Sequence, residues 1–222
     1  VYLDFSGVFS RWDLFAQAAL VTVYLTLAAI VAGLCIGVTA AAGTRSRFAI
    51  VRFLPFAYVD IIRNTPFLVQ AFIVYFGLPS IGIQLSPIPA AIIALSIYAG
   101  GYLAEIARAG IESVNHGQIE AARSLGLSPF LTFRLVIVKQ ALAAVYPSLT
   151  SQFILILFSS SIVSAISVQE LTATANDAQG ATFRTMEAFL FVAVIYHILA
   201  AGFRAVFAAI DRYAFAFTRL SR

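Results

Sequence analysis

The chain has 222 residues, of which 61% are hydrophobic and only 11% charged, with a formal net charge of +4. Soluble domains are about half apolar and about a quarter charged, so this balance excludes an ordinary water-soluble domain. A spanning helix needs roughly 20 apolar residues, so the length holds about five spans in a single domain and leaves no room for a soluble catalytic unit. The basic residues are scattered at the ends of apolar segments rather than gathered in one run, which argues against nucleic acid and for membrane orientation.

The first predicted span covers residues 15–42 and stops at Thr44-Arg45-Ser46-Arg47. No basic stretch precedes it, so no cleaved signal peptide is expected. Cys35, the single cysteine, lies within it and reads as packing; one cysteine supplies neither a disulfide framework nor a cysteine-based metal site within one chain. The second span, 48–77, carries Arg52, Asp60 and Arg63 in its first half, which must be shielded by protein or lie near an interface because charge in lipid is expensive. Pro66 lacks an amide hydrogen and disfavours helix at Thr65, so it should distort this span. Helix packing is the first reading of that distortion and substrate passage the second.

A turn rich in Gly and Pro at 77–89 leads to a third span, 90–111, where Glu105 and Arg108 stand three apart and can pair on one face. A self-neutralising pair is favoured there over direct substrate contact. Residues 112–140 form the longest polar stretch and precede a fourth span at 141–166, a polar loop at 167–182 and a fifth span at 183–210. A tail carries Arg212, Arg219 and Arg222.

An odd number of spans puts the termini on opposite sides. Arg45, Arg47, Arg123, Arg134, Lys139, Arg212, Arg219 and Arg222 fall on one side, against Arg11 and Arg184 on the other. Cytoplasmic loops collect Lys and Arg, so the amino terminus is expected outside and the carboxyl terminus and long polar loop inside. The abundance of Ala, Gly and Ser suits close helix packing in lipid.

Within the polar stretch, Gln118-Ile119-Glu120-Ala121-Ala122-Arg123-Ser124-Leu125 is built from good helix formers. Gly126 can take the left-handed conformation that ends a helix, and Ser128-Pro129 offers an N-cap and a first-turn proline for a second helix at 130–138. The expected product is a compact knob projecting from the membrane. It reads either as an amphipathic connector or as a docking element, with Ala121 and Ala122 keeping the helix thin and Glu120 offering a charge to a partner.

Glu120-Ala121-Ala122, three further residues, Gly126, then nine residues to Val136 resemble the Glu-Ala-Ala loop of binding-protein-dependent ABC importer permeases. The resemblance implies that the knob is the coupling helix held in a groove of an ATPase subunit, with Glu120, Ala121, Ala122, Arg123 and Gly126 as its coupling residues. It also implies an all-α membrane fold of about five spans, that of the type I importer permeases. The family pattern usually ends in Leu-Pro, where this chain has Val138-Lys139; a proline there would break the helix entering the next span, so the local bend is left open while the assignment stands.

Arg63-Asn64-Thr65-Pro66-Phe67-Leu68-Val69-Gln70 with Tyr75-Phe76-Gly77-Leu78-Pro79, and Gly101-Tyr102-Leu103-Ala104-Glu105-Ile106-Ala107-Arg108-Ala109-Gly110, are similar to the polar amino-acid branch of that family, which serves His, Glu, Gln, Arg and opines. A polar solute needs hydrogen-bonding groups near mid-span. Gln70, Gln152, Ser159, Ser160, Ser161 and Ser164 are the candidates for the path. Adjacent serines cannot all face one path, and serine hydroxyls in membrane helices often bond back to their own backbone. The related family often has Lys-Asp-Thr-Ser where Phe158-Ser159-Ser160-Ser161 stands here, so an anchor for a cationic group is missing. The loop from Gln169-Glu170-Leu171 to Asn176-Asp177 reads equally as a contact for a solute-binding protein or as a solvated cap.

An intramembrane enzyme would need a nucleophile with a base, or a metal cluster. His116 and His197 lie far apart without ligand spacing, and Asp60 and Glu105 are each flanked by an arginine, Arg63 or Arg108. A channel or structural subunit is permitted by composition, whereas the Glu-Ala-Ala loop argues against it. No Gly-x-x-x-x-Gly-Lys motif occurs, so ATP and magnesium are expected on separate ATPase subunits, with no cofactor in this chain. The expected partners are two ATPase subunits, a second permease chain identical to or different from this one, an external solute-binding protein and a small polar amino acid, in the inner membrane of a bacterium.

Overall fold

The computed structural model describes residues 3–214, and all regular structure among them is helical. A short helix α1 (Ser6–Phe9) precedes α2 (Trp12–Gly43), the first crossing. The second crossing is a bent pair, α3 (Ala49–Arg63) and α4 (Phe67–Ile81), meeting at 109°. Next come α5 (Pro87–Glu112), the knob helix α6 (His116–Ser124), α7 (Pro129–Ile166), α8 (Leu171–Thr182) and α9 (Thr185–Ala214). Four single helices and the bent pair therefore make up to five crossings, as the apolar segments predict. Arg219 and Arg222 lie outside the described residues.

The core is the crossing of α2 with α5, against which α7 packs. Leu25, Ala29, Ala94, Leu95, Ala99, Leu103 and Ile156 are buried there. Small residues set its closeness: a Cβ on Gly33 would stand 2.7 Å from the Ala99 Cβ, and one on Gly37 would stand 2.9 Å from the Ala104 backbone nitrogen. In lipid, where no hydrophobic force draws helices together, such backbone approach supplies the van der Waals contact that holds a bundle.

Three predicted elements are corrected. The second span is not one distorted helix but two, because Pro66 supplies no amide hydrogen and Pro66 itself is extended (ψ 137°). The side chain of Gln70 closes the gap, donating to the carbonyls of Ile62 (2.8 Å) and Thr65 (2.9 Å). Residues 130–138 are not a separate helix; they are the first turns of α7, which runs unbroken from Pro129 through a π-helical turn at Phe133–Ile137. With Val138-Lys139 in place of Leu-Pro, every residue at this junction keeps its amide hydrogen, and the helix continues.

The predicted polar loop 167–182 is mostly α8. Glu170 caps it, accepting from the amides of Thr172 (2.8 Å) and Ala173 (2.9 Å) and from the Tyr196 hydroxyl (2.8 Å) of α9. The Leu171 amide also donates to the Thr22 hydroxyl of α2. At the same end, Arg184 pairs with Asp4 at 2.9 Å, so the amino-terminal segment meets the α8–α9 junction at the end opposite the knob.

Candidate functional site

The knob is built from local signals. The Asn115 side chain caps α6 by accepting from the Gly117 amide (2.8 Å), Gly126 takes φ +77°, and the Ser128 hydroxyl accepts from the Leu131 amide ahead of Pro129. Gly126 thus sits in the left-handed region where a Cβ is unfavourable. The Leu127 amide donates to the Ala122 carbonyl, and Gln140 of α7 donates to Gln118, which fastens the knob to α7.

Of the coupling residues, Glu120, Ala121, Arg123 and Gly126 are exposed, whereas Ala122 is buried. Glu120 lies 3.1 Å from His116 one turn earlier. Two residues that sequence reasoning missed complete the surface: Leu125 is 82% exposed and Phe130 68% exposed. Their signal was present as apolar residues flanking the Gly126 turn within a polar stretch.

A second site lies where the bent span meets α5 and α7. A cavity of about 470 Å³ is lined by Arg63, Tyr102, Glu105, Ile106, Pro147, Ser148, Ser151, Gln152 and Leu155. The break after α3 places Arg63 at the cavity edge, and its guanidinium is 3.8 Å from Glu105 and over the Tyr102 ring at 5.6 Å. Glu105 also accepts from Arg108, which in turn donates at 2.8 Å to both oxygens of Glu112. Glu105 therefore serves two arginines, and the Asp60 carboxylate accepts instead from Asn64 at 2.9 Å.

The candidate path residues divide. Gln152 lines the cavity, is buried, and has an amide Nε2 without a hydrogen-bond partner. Gln70 does not line it; its amide group holds the span break. The hydroxyls of Ser160, Ser161 and Ser164 each donate at 2.7 Å to a carbonyl three residues earlier, to Leu157, Phe158 and Ser161 respectively, and Ser159 meets Tyr98. None of these four serines lines the cavity. Among the described residues no group of His, Cys, Asp and Glu could hold a metal ion.

Residues 33–214 match the family described as "Binding-protein-dependent transport system inner membrane component". Similar curated proteins include the "Probable glutamine ABC transporter permease protein GlnM" of Bacillus subtilis (strain 168), 33% identical with 89% of this chain and 91% of that protein covered. The "Nopaline transport system permease protein NocM" of Agrobacterium fabrum is 34% identical, with 87% and 85% covered. Among solved structures, an amino acid ABC transporter crystallised with histidines superposes with a TM-score of 0.88 at 34% identity, covering 96% of this chain and 99% of that one. An inward-facing MetNI methionine ABC transporter shares the fold, with a TM-score of 0.77 at 22% identity over 92% of this chain and 98% of that one.

Proposed function

The chain belongs to the binding-protein-dependent transport system inner membrane component family, and from that membership we propose that it is the permease of an ATP-driven importer whose cargo is a polar amino acid. The observation that carries this reading is a capped knob with exposed Leu125 and Phe130, joined through the Gly126–Ser128 turn to the helix that walls an open cavity between the spans. Relatives named for glutamine and nopaline support the choice of cargo class.

The mechanism follows from the connection. From Pro129 to Gln152, α7 rises roughly 35 Å at about 1.5 Å per residue, so a displacement of the knob is delivered along one helix to the cavity wall. The π-turn at Phe133–Ile137 and Pro147, which lacks the amide that would bond the Ala143 carbonyl, are the points where that helix can bend. Closure of two ATPase subunits would press the knobs of two permease chains together and open or close the central cavity from below. ATP and magnesium are held by those subunits, and the external solute-binding protein meets the face formed by α8 and the amino-terminal segment.

The knob lies in the cytoplasm in this reading, because Arg45, Arg47, Arg123, Arg134, Lys139 and Arg212 share its end of the bundle while Arg11 and Arg184 stand at the other. Replacing Ala121 by Arg and Leu125 by Asp should abolish co-purification of the ATPase while the permease remains monodisperse. ATPase retained at wild-type stoichiometry by this double variant would refute the docking role.

A further inference from the structure

We propose that the groove between α2 and the first arm of the bent span holds an anionic phospholipid, its acyl chain lying along the groove and its phosphate on Arg45 and Arg47. The proposal is independent of the cargo, because the groove shares no lining residue with the cavity described above.

Helix α3 is shallowly embedded in the bundle. Of its 15 residues only Ile62, in the last turn, is buried, while Ile50, Phe53, Leu54 and Phe56 are exposed. It touches α2 where the two helices converge: a Cβ on Gly43 would stand 2.8 Å from the Pro55 ring. Beside that contact runs a groove of about 630 Å³, lined by Cys35, Thr39 and Gly43 of α2 and by Val51, Leu54 and Tyr58 of α3. Its two hydroxyls are already engaged. Thr39 donates to the Cys35 carbonyl at 2.7 Å and Tyr58 to the Ile97 carbonyl at 2.6 Å. The lining therefore suits hydrocarbon better than a polar solute. From Cys35 to Gly43 the helix rises about 12 Å, so the groove follows the span, the direction in which lipid chains lie.

The charge stands at the closed end of the groove. Arg45 and Arg47 lie on the turn that joins α2 to α3, Arg52 lies in the first turn of α3, and all three are exposed. Among the described residues, the arginines in ion pairs are Arg63, Arg108 and Arg184. No Asp or Glu occurs between Asp13 and Asp60, and Asp60 accepts from Asn64. Arg47 rests over the Phe48 ring at 4.7 Å. The start of α3 adds a positive dipole end, since its N-cap residue Phe48 supplies no side-chain acceptor and its first turn holds no acid.

A phosphate at this turn meets three cations that have no carboxylate partner among the described residues, and its chain enters a cleft already shaped for it. Each arginine near a membrane surface is worth about fivefold in affinity for anionic lipid. A zwitterionic phospholipid brings the same chains, but its ammonium offsets its phosphate. Charge therefore sets the choice of lipid, and the groove sets where it lies.

The test is photocrosslinking in phosphatidylcholine nanodiscs that hold the permease with its ATPase. Phosphatidylglycerol and phosphatidylcholine bearing the same diazirine acyl chain are added in turn, and the labelled peptides are mapped by mass spectrometry. The phosphatidylglycerol probe should label residues 35–43 and 51–58 at least about tenfold more than the phosphatidylcholine probe, as two arginines imply. The exposed Val194 and Ile198 of α9 should take up both probes equally. Arg45→Gln with Arg47→Gln should erase the preference. Thr39→Phe, which fills the groove and leaves every charge in place, should lower phosphatidylglycerol labelling of both segments severalfold. Equal labelling by the two probes in the wild type would overturn the proposal, as would a preference that survives the double substitution or labelling unchanged by Thr39→Phe. Variants are scored only when they co-elute with the ATPase, and the comparison of the two probes on the wild type decides the matter if they do not. Uptake of L-glutamine tests the cargo reading separately.

Discussion

At the scale of single residues, buried polar groups do different work according to what they face. Glu170, fully buried, joins two elements through one carboxylate: it caps α8 and receives the Tyr196 hydroxyl of α9. Losing a cap and stranding a buried hydroxyl should cost roughly 2–4 kcal/mol, so Glu170→Ala should lower the melting temperature of the purified protein markedly, while Glu170→Gln, which keeps an acceptor oxygen, should lower it less. Residues whose role depends on near neighbours were legible in the sequence: Gly126 and Ser128 adopt the turn and cap their spacing implies. The path residues were less so. Serine identity does not say which way a hydroxyl turns, and three of the four path serines bond to their own helix backbone. Arg63 and Glu105 meet across 42 positions of sequence, a contact that no local pattern encodes.

At the scale of elements, apolar length located the crossings, and the small residues anticipated close packing without saying which helices would meet. The closeness of α2 and α5 makes a sharp expectation. Gly37→Leu would drive a Cβ into the Ala104 backbone at 2.9 Å, where no flexible side chain can yield, and should cost about 1–3 kcal/mol or prevent folding. Gly180→Ala on the open face of α8, where nothing lies within 4 Å of the new Cβ, should instead stabilise by about 0.4–1 kcal/mol. Thermal unfolding in one detergent separates the two. Helix α8 was missed because its residues are mostly small and polar and its stability comes from tertiary anchors, the Glu170 cap and the Thr22 contact to Leu171. The break in the second span was legible at Pro66, but its angle was not, since Gln70 and the packing of α4 set it.

At the scale of the whole molecule, the two ends of the bundle are chemically distinct. One end bears the knob and most of the basic residues; the other bears α8 and the Asp4–Arg184 clasp. Between them lies a cavity walled by the bent span, α5 and the helix that grows out of the knob. The central claim is that motion applied at the knob moves a polar amino acid through that cavity. Its most direct test is uptake of labelled L-glutamine by proteoliposomes holding this chain with its ATPase and solute-binding protein, with ATP on the ATPase side. L-Glutamine should accumulate against a gradient, with a requirement for ATP hydrolysis, and that accumulation should disappear in the Ala121→Arg, Leu125→Asp double variant. Accumulation that persists without ATP, or in that variant, would contradict it.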